Sequence, residues 1–247
     1  MSAQKIATSE EWEAVRRELL EREKELTRLG DELAARRREL PWVRLEKMYT
    51  LQTKDGPKSL DDLFDGRSQL TIYHFMFGPD YVAGCPTNSS IADAFDPLIA
   101  HLKARDVTMI CVSRAPIGKL LAYRERMGWR LNWASSFESD FSFDFGGSAR
   151  KEDTRAWLEP IADQMPPIAR RNAAACGVDL VTYLSEGFAF VTFVRQNDVV
   201  YQTYSTGGRG VEFLMSYYPI LDRVPKGRDE GTAFQTWLCR HDEYDAE

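Results

Sequence analysis

Cysteine offers the strongest chemistry in this sequence, and one cysteine stands at a place suited to it. Cys85 follows the segment GPDYVAG and lies at the amino-terminal side of the next predicted helix. Backbone N–H groups and the positive end of a helix dipole stabilise a thiolate over a thiol, so this position favours a reactive sulfur. Pro86 suits the first helical turn, where its missing N–H is not needed. We therefore predict that Cys85 is a nucleophile.

The other three cysteines lack such a setting. Cys111 lies inside an apolar strand, and Cys176 and Cys239 lie in peripheral segments. Apolar cysteines of this kind are commonly inert. No two cysteines form a Cys-x-x-Cys motif or a zinc knuckle, so neither a disulfide framework nor a zinc site is predicted. The sequence thus predicts one reactive thiol.

His74 is the second catalytic candidate. His74 and Met76 share one face of the strand before the Cys85 loop, and a histidine near the carboxyl end of a parallel strand can reach the mouth of the sheet. It could act as a base toward Cys85 or orient a substrate. A buried structural histidine is one alternative, and a soft site for copper with Cys85 and Met76 is another. Because two of those three ligands share a strand, we predict no metal.

Five further residues are candidates for substrate binding: Tyr81, Asn88, Asp140, Arg209 and His241. Asp140 and Asp144 alternate with phenylalanines, and two carboxylates four residues apart can divide acid and base roles. A structural turn is the alternative for them. Arg209 lies in a glycine-rich helix start that lacks the Gly-Lys-Ser/Thr of a P-loop, which favours a substrate carboxylate or Asp140 over a nucleotide. His241 lies in a tail with an aromatic anchor, which could cap the cysteine loop.

Composition excludes several classes of function. The chain has 247 residues, of which 43% are hydrophobic and 12% aromatic, enough for one α/β domain with an appendage and too many for a disordered chain. Its net charge of −6 does not favour nucleic-acid phosphates. No window approaches the roughly 18 apolar residues that cross a bilayer. We expect a cytoplasmic protein with no cofactor and with neither nucleic acid nor membrane as partner.

Strand and helix patterns alternate along the chain. Apolar strands are predicted at 70–77 and 107–113 with a helix at 90–105 between them, which makes a parallel crossover the default. Before them, an extended piece at 44–51 and a turn at 55–57 are predicted. The later predicted elements are a helix at 115–127, a strand at 129–135, an insertion with short helices at about 148–178, a hairpin at 187–205 and a closing helix at 210–218.

The first 40 residues predict a separate helical arm. Arg22 and Arg36 occupy positions where an apolar stripe of three-then-four spacing expects apolar residues, and Gly30 lies inside it, so two helical pieces are favoured over one long coiled coil. The stripe is covered either by the chain's own domain or by a second copy, and a homodimer through this helix is the predicted assembly. The predicted divisions are an arm at 1–40, a domain at 41–218 and a docked tail at 219–247.

A βαβ unit followed by a hairpin and a helix is the outline of the thioredoxin-like fold. The chain also resembles the bacterial thioredoxin-like family described as predicted dithiol-disulfide oxidoreductases, or domain of unknown function 899. The resemblance extends from Trp12 to the end and implies a thioredoxin-like fold with thiol chemistry. The blocks that carry it, in the family's order, are PWVRLEKMYTL, TIYHFMFGPDY followed by GCP, VSRAP, YRERMGW, SDFSFDFG, YSTGGRG, PKGRDE and HDEYD.

Two positions depart from the family pattern. Family members commonly carry a second cysteine three residues after the first, whereas this chain has Asn88 there. Thioredoxin-like proteins usually place a cis-proline before the hairpin, whereas this chain has Ser185-Glu186-Gly187, for which a trans bond is expected. A dithiol cycle within the cysteine loop is therefore excluded.

The sequence thus predicts a thiol-dependent oxidoreductase that uses Cys85 alone. A small-molecule or thiol substrate would form a sulfenic acid or mixed disulfide, and an external reductant thiol would resolve it. The alternative is a non-redox thioredoxin-like protein that binds or transforms a small organic molecule, for example in biosynthesis, with or without a metal at His74 and Cys85.

Overall fold

The computed structural model describes residues 5–231 and 234–244, and its residues divide into two compact units at Pro41. The first unit is one helix, α1 (Ser9–Arg38), where Gly30 had predicted two pieces. Thr8 and Glu11 form a capping box at its N-terminus: the Thr8 hydroxyl accepts the Glu11 N–H, and the Glu11 carboxylate accepts the Thr8 N–H. A glycine costs a helix only about 1 kcal/mol, which the surrounding helix-forming residues outweigh. None of the thirty residues of α1 is buried.

The second unit, from Trp42 onward, is built on one mixed sheet. Within the described residues the sheet has eight strands in the order β1-β8-β7-β4-β5-β6-β2-β3. The strands are β1 (Val43–Arg44), β2 (Thr50–Thr53), β3 (Gly56–Ser59), β4 (Gln69–His74), β5 (Val107–Ser113), β6 (Asn132–Ser135), β7 (Ala189–Gln196) and β8 (Val199–Gly207).

The centre of the sheet has the predicted topology. Strand β4 pairs in parallel with β5 and β5 with β6, while β7 runs antiparallel to β4 and forms a hairpin with β8. The hairpin turns at Asn197 and Asp198, which both have positive φ as a tight two-residue turn requires. A parallel βαβ unit followed by an antiparallel hairpin confirms the thioredoxin-like fold. The β2–β3 hairpin was not predicted, because its strands are only four residues long.

Short helices cover the sheet. The predicted helix at 90–105 begins earlier, at Pro86, and is broken near Pro97, which cannot donate a backbone hydrogen bond. The segment at 141–144, interpreted as a turn, is one short helix. The helices are α2 (Pro86–Phe95), α3 (Ile99–Lys103), α4 (Ile117–Arg126), α5 (Phe141–Asp144), α6 (Lys151–Leu158), α7 (Pro167–Ala175), α8 (Leu180–Leu184) and α9 (Tyr217–Leu221).

The sheet separates two hydrophobic clusters. Tyr73 packs in a cluster with Cys85 and Tyr183, whereas the neighbouring Ile72 packs in a cluster with Phe141. Successive residues of a strand point to opposite faces, which explains the division. We call the side with Tyr73 and Cys85 the thiol side and the side with Ile72 and Phe141 the histidine side.

The chain after α9 folds back against the thiol side. Leu238 and Arg240 are buried there, and the Arg240 guanidinium bonds the carbonyls of Gly84 and Ala175. The described residues contain no helix that is both long and apolar enough to cross a membrane.

Candidate functional site

The backbone fixes Cys85 at the start of α2. Its N–H donates to the Met76 carbonyl at 3.1 Å, and its carbonyl accepts the Ser89 N–H at 2.9 Å. A Cβ atom on Gly84 would lie 2.7 Å from the Phe75 ring, so a residue with a side chain does not fit there. The loop therefore lies close against the sheet, and Cys85 has no exposed surface.

Three polar side chains surround the Cys85 sulfur. The Tyr183 hydroxyl lies 3.3 Å from Sγ, and the Nδ2 atoms of Asn88 and Asn172 lie 3.6 and 3.7 Å from it. The Asn88 amide is oriented by its Oδ1, which accepts the Met76 N–H at 2.8 Å. The Asn172 amide also donates to the Thr87 hydroxyl at 3.1 Å. These groups come from α2, α7 and α8, so the site depends on the segment predicted as an insertion.

Burial raises the pKa of the Cys85 thiol, contrary to the lowering that its place at a helix start predicts. The predicted effect is present, since the Tyr183 hydroxyl, the N–H groups of Asn88 and Thr87 and the Arg240 charge all lower this pKa. Removal of the sulfur from water opposes the charged form more strongly than these groups favour it. Cys85 is therefore a thiol at neutral pH in this structure.

A cavity of about 420 Å³ is lined by the three polar side chains that contact the Cys85 sulfur. Thr87, Asn88, Asn172 and Tyr183, which touch Cys85 or its helix start, form one wall of this cavity. The other walls are largely apolar and include Ile168. A cavity of this size can hold a small organic molecule beside the polar groups that contact the sulfur.

Glu186 also lines the cavity and was not predicted as a site residue. Its carboxylate pairs with Arg114 at 2.9 Å and accepts the Ser148 hydroxyl at 2.6 Å. Burial raises its pKa to about 7, although Arg114 and Ser148 lower it. The sequence signal that could have identified Glu186 is its place in the segment where thioredoxin-like proteins usually have a cis-proline. The described residues contain no cis peptide bond, as expected for this segment.

His74 lies on the histidine side, away from Cys85. Its ring stacks on Phe141 with centroids 5.5 Å apart, and among the described residues neither ring nitrogen has a hydrogen-bond partner. Burial lowers its pKa to about 4. A Cβ atom on Gly147 would collide with the imidazole, so the ring is tightly enclosed. The expectation that His74 acts as a base on Cys85 is therefore corrected, and the alternative of a metal site with Cys85 and Met76 does not fit this position of the ring.

Of the predicted binding residues, only Asn88 lines the cavity. Tyr81 is fully buried, its hydroxyl donates to the Tyr183 carbonyl at 2.6 Å, and its ring stacks on Tyr183 at 6.0 Å. Tyr81 thus holds Tyr183 in place, and its hydroxyl is already used.

Asp140, Arg209 and His241 do not line the cavity. Asp140 pairs with Lys47 at 2.9 Å, and Arg209 pairs with Glu212 at 2.6 Å, so the proposed pairing of Arg209 with Asp140 is corrected. His241 bonds Asp93 at 2.7 Å. Each of these polar groups is satisfied by a nearby surface residue.

The residue by which the tail reaches the cysteine loop is Arg240. Its Nε and Nη2 atoms donate to the Gly84 carbonyl at 3.0 and 2.8 Å, and Nη2 also donates to the Ala175 carbonyl at 2.9 Å. Its neighbour His241 was predicted instead, because histidine takes part in acid–base chemistry near neutral pH more often than arginine does.

Comparison with known proteins gives one family and several solved structures. The model of the family described as "Bacterial protein of unknown function (DUF899)" matches residues 1–244. No curated protein matches the sequence.

The solved structures that superpose on the chain include three peroxiredoxins. A PrxQ mutant from Xylella fastidiosa is 10% identical with a TM-score of 0.42 and covers 71% of this chain and 89% of its own. A peroxiredoxin Q mutant from Xanthomonas campestris is 12% identical at 0.43 and covers 74% and 94%. A reduced 2-Cys peroxiredoxin from Plasmodium vivax is 14% identical at 0.40 and covers 73% and 93%. Likeness at this level carries no argument about chemistry.

Proposed function

The chain belongs to the bacterial DUF899 family, and from that premise we propose that it is a thiol-dependent oxidoreductase in which Cys85 is the reactive thiol. The observation that carries the proposal is that Tyr183, Asn88 and Asn172 contact one buried sulfur and also line a cavity. The substrate is a small hydroperoxide or disulfide that enters the cavity. The electrons come from an external thiol.

The reaction with a hydroperoxide needs only groups of this site and that external thiol. The Cys85 thiolate attacks the terminal peroxide oxygen, so that an S–O bond forms, the O–O bond breaks, and an alcohol leaves after protonation. Sulfur loses two electrons and becomes a sulfenic acid. Two equivalents of external thiol return it to the thiol, with water and the disulfide of the reductant as products.

The polar side chains have a defined part in this reaction. Tyr183 and the two asparagine amides stabilise negative charge on sulfur and on the departing oxygen by hydrogen bonding. Because burial raises the pKa of Cys85, the thiolate fraction increases with pH beyond the range of a free cysteine. The rate is therefore expected to rise through that raised pKa.

Replacement of the thiol tests the proposal. Cys85→Ser should lower thiol-dependent consumption of hydrogen peroxide, or of a small disulfide, by about a hundredfold or more. Cys239→Ser is the matched control, because Cys239 lies on the tail, is more accessible, contacts Arg171 of α7 and does not line the cavity. Equal activity of wild type and Cys85→Ser would overturn the proposal, as would a Cys85 that hydrogen peroxide leaves unoxidised at every pH tested.

A second copy of the chain is the assembly partner we propose, through α1. The helix presents an exposed stripe that includes Trp12, Leu19 and Leu26, and its packing against the same stripe of another copy would bury these side chains. Leu19→Lys with Leu26→Lys should halve the mass measured by light scattering, whereas Arg28→Ala should not. An unchanged mass in the lysine variant would remove the basis for the dimer.

A non-redox function is the second candidate, and Glu186 favours it. A buried carboxyl with a pKa of about 7 at the wall of an apolar cavity is suited to proton transfer at neutral pH. The protein would then bind or transform a small organic molecule without oxidation of Cys85. Activity or ligand binding that survives Cys85→Ser and is lost in Glu186→Gln would decide for this function.

A further inference from the structure

A second thiol, Cys176, lies at the end of the helix that contacts Cys85. Cys176 caps α7, and its N–H donates to the Asn172 carbonyl at 2.9 Å. Residues four apart in a helix lie on the same face, so Cys176 follows Asn172 on the face whose amide contacts the Cys85 sulfur. Both cysteines are fully buried and belong to the same cluster.

The backbone joins the two cysteine segments directly. The Cys176 carbonyl accepts the Val82 N–H of the cysteine loop at 2.9 Å. A Cβ atom on Gly177, which has a φ of +71°, would lie 2.8 Å from the Val82 side chain, so the end of α7 lies close against this loop.

One guanidinium holds the residues that precede both cysteines. Arg240 donates to the carbonyl of Gly84, immediately before Cys85, and to the carbonyl of Ala175, immediately before Cys176. The two thiols also influence each other electrostatically: after burial, negative charge on Cys85 is the next cause that raises the pKa of Cys176, and Arg240 lowers it. The two cysteine segments are thus fixed together by the tail.

The helix position that would hold a partner thiol three residues after Cys85 is occupied by Asn88, whose amide is bonded to the Met76 N–H. A resolving thiol supplied by this chain must therefore come from another element. We propose that Cys176 is this thiol and that oxidation of Cys85 produces a Cys85–Cys176 disulfide. The inference rests on the proposed thiol function and adds a second catalytic residue to it.

The step balances without a further reagent. After a hydroperoxide has converted Cys85 to a sulfenic acid, the Cys176 sulfur attacks the Cys85 sulfur, so that an S–S bond forms and the S–O bond breaks. The hydroxyl group leaves with the Cys176 proton as water. The external thiol then reduces this disulfide and restores both thiols.

The test is made on the full chain with hydrogen peroxide as the probe. After one equivalent of peroxide and alkylation of the remaining thiols, peptide mass spectrometry should find the peptides of Cys85 and Cys176 joined. In Cys176→Ala the joined peptides should be absent, and trapping of the Cys85 sulfenic acid by dimedone should rise by about tenfold or more. Cys111→Ala and Cys239→Ser are controls and should retain the joined peptides.

The outcomes separate this inference from the proposed function. A wild-type chain that accumulates a Cys85 sulfenic acid or mixed disulfide, with Cys176 still free, would overturn the role of Cys176 and leave thiol function intact. A Cys85 that peroxide does not oxidise at all would overturn both. Because the wild type alone decides between these results, the test does not depend on the folding of Cys176→Ala.

Discussion

The two ends of one short segment, His74 and Cys85, place buried chemical groups on opposite sides of the sheet. Three polar side chains contact the Cys85 sulfur, and the same side chains line a cavity. The His74 imidazole stacks on an aromatic ring, and among the described residues neither of its nitrogens is bonded. The difference shows that a reactive residue type at the end of a central strand is insufficient. The side of the sheet decides which polar groups it can meet.

The two sides can also be compared by the pKa of one buried ionisable group on each. Burial lowers the pKa of His74 to about 4 on one side and raises the pKa of Glu186 to about 7 on the other. Both shifts disfavour the charged form. Their effects on stability have opposite signs, because charging adds a proton to histidine and removes one from glutamate. The following predictions separate the two sides.

The largest expected effect on stability comes from His74. The unfolded imidazole binds a proton below pH 6.5 and the folded one only below about 4, so acid favours unfolding. This loss grows as the pH falls from 6.5 to 4 and reaches about 3 kcal/mol. His74→Leu should remove this part of the acid sensitivity in urea unfolding, and the exposed control His101→Gln should not. An equally acid-sensitive His74→Leu would contradict the assignment of His74 as buried and neutral.

Glu186 should show a stability effect of similar size in the opposite direction. The folded carboxyl keeps its proton up to a pKa of about 7, whereas the unfolded one loses it near 4.5. Its contribution is therefore most favourable below pH 4.5 and declines by about 3 kcal/mol as the pH rises through 7. Glu186→Gln should abolish this decline in urea unfolding measured from pH 4 to 8, with the exposed Glu125→Gln as control. A decline that persists in Glu186→Gln would show that other groups cause it and would contradict the raised pKa of Glu186.

The next largest expected effect is a loss of stability when Arg240, which lies on the thiol side, is replaced. Arg240→Ala leaves the buried carbonyls of Gly84 and Ala175 without this charged donor, which should lower the free energy of unfolding by about 2 kcal/mol. His241→Ala, next in sequence and half exposed, is the control and should change it much less. Urea unfolding at neutral pH measures both. Equal effects of the two variants would mean that the tail is held by its exposed contacts.

The sequence predicted the local features of this arrangement and missed the distant ones. The position of Cys85 at a helix start was predicted because a loop, a helix start and Pro86 are neighbours in the chain. The strand at 107–113 was predicted with its observed bounds. The alternation of Tyr73 and His74 was also predictable. Which side of the sheet would bring polar groups to a buried cysteine was not predictable, because that depends on the packing of α2 and α7.

The missed residues are far from Cys85 in the chain. Asn172, Tyr183 and Glu186 lie about one hundred residues after it, in short helices and a loop whose local patterns show no relation to a thiol. Arg240 lies farther still and was hidden beside His241. Such contacts follow from the tertiary fold and from the burial of each group, which a single sequence does not record.

The smallest expected effect comes from the Tyr183 hydroxyl, which contacts the thiol of Cys85 on one side of the sheet. Tyr183→Phe removes the hydroxyl 3.3 Å from the Cys85 sulfur and keeps the ring that stacks on Tyr81. Since this hydroxyl lowers the pKa of Cys85, its loss should raise that pKa further and slow iodoacetamide alkylation at pH 8 by about fivefold, or about 1 kcal/mol.

Tyr217→Phe is the matched control, because its hydroxyl bonds Ser90 on the same helix α2 without contact to the sulfur. It should leave the pH profile of alkylation unchanged, while Tyr183→Phe shifts the profile to higher pH. If both variants alkylate as the wild type does, the Tyr183 hydroxyl serves packing alone. The thiol side would then owe its chemistry to the asparagine amides and the start of α2, and the contrast with His74 would rest on those groups.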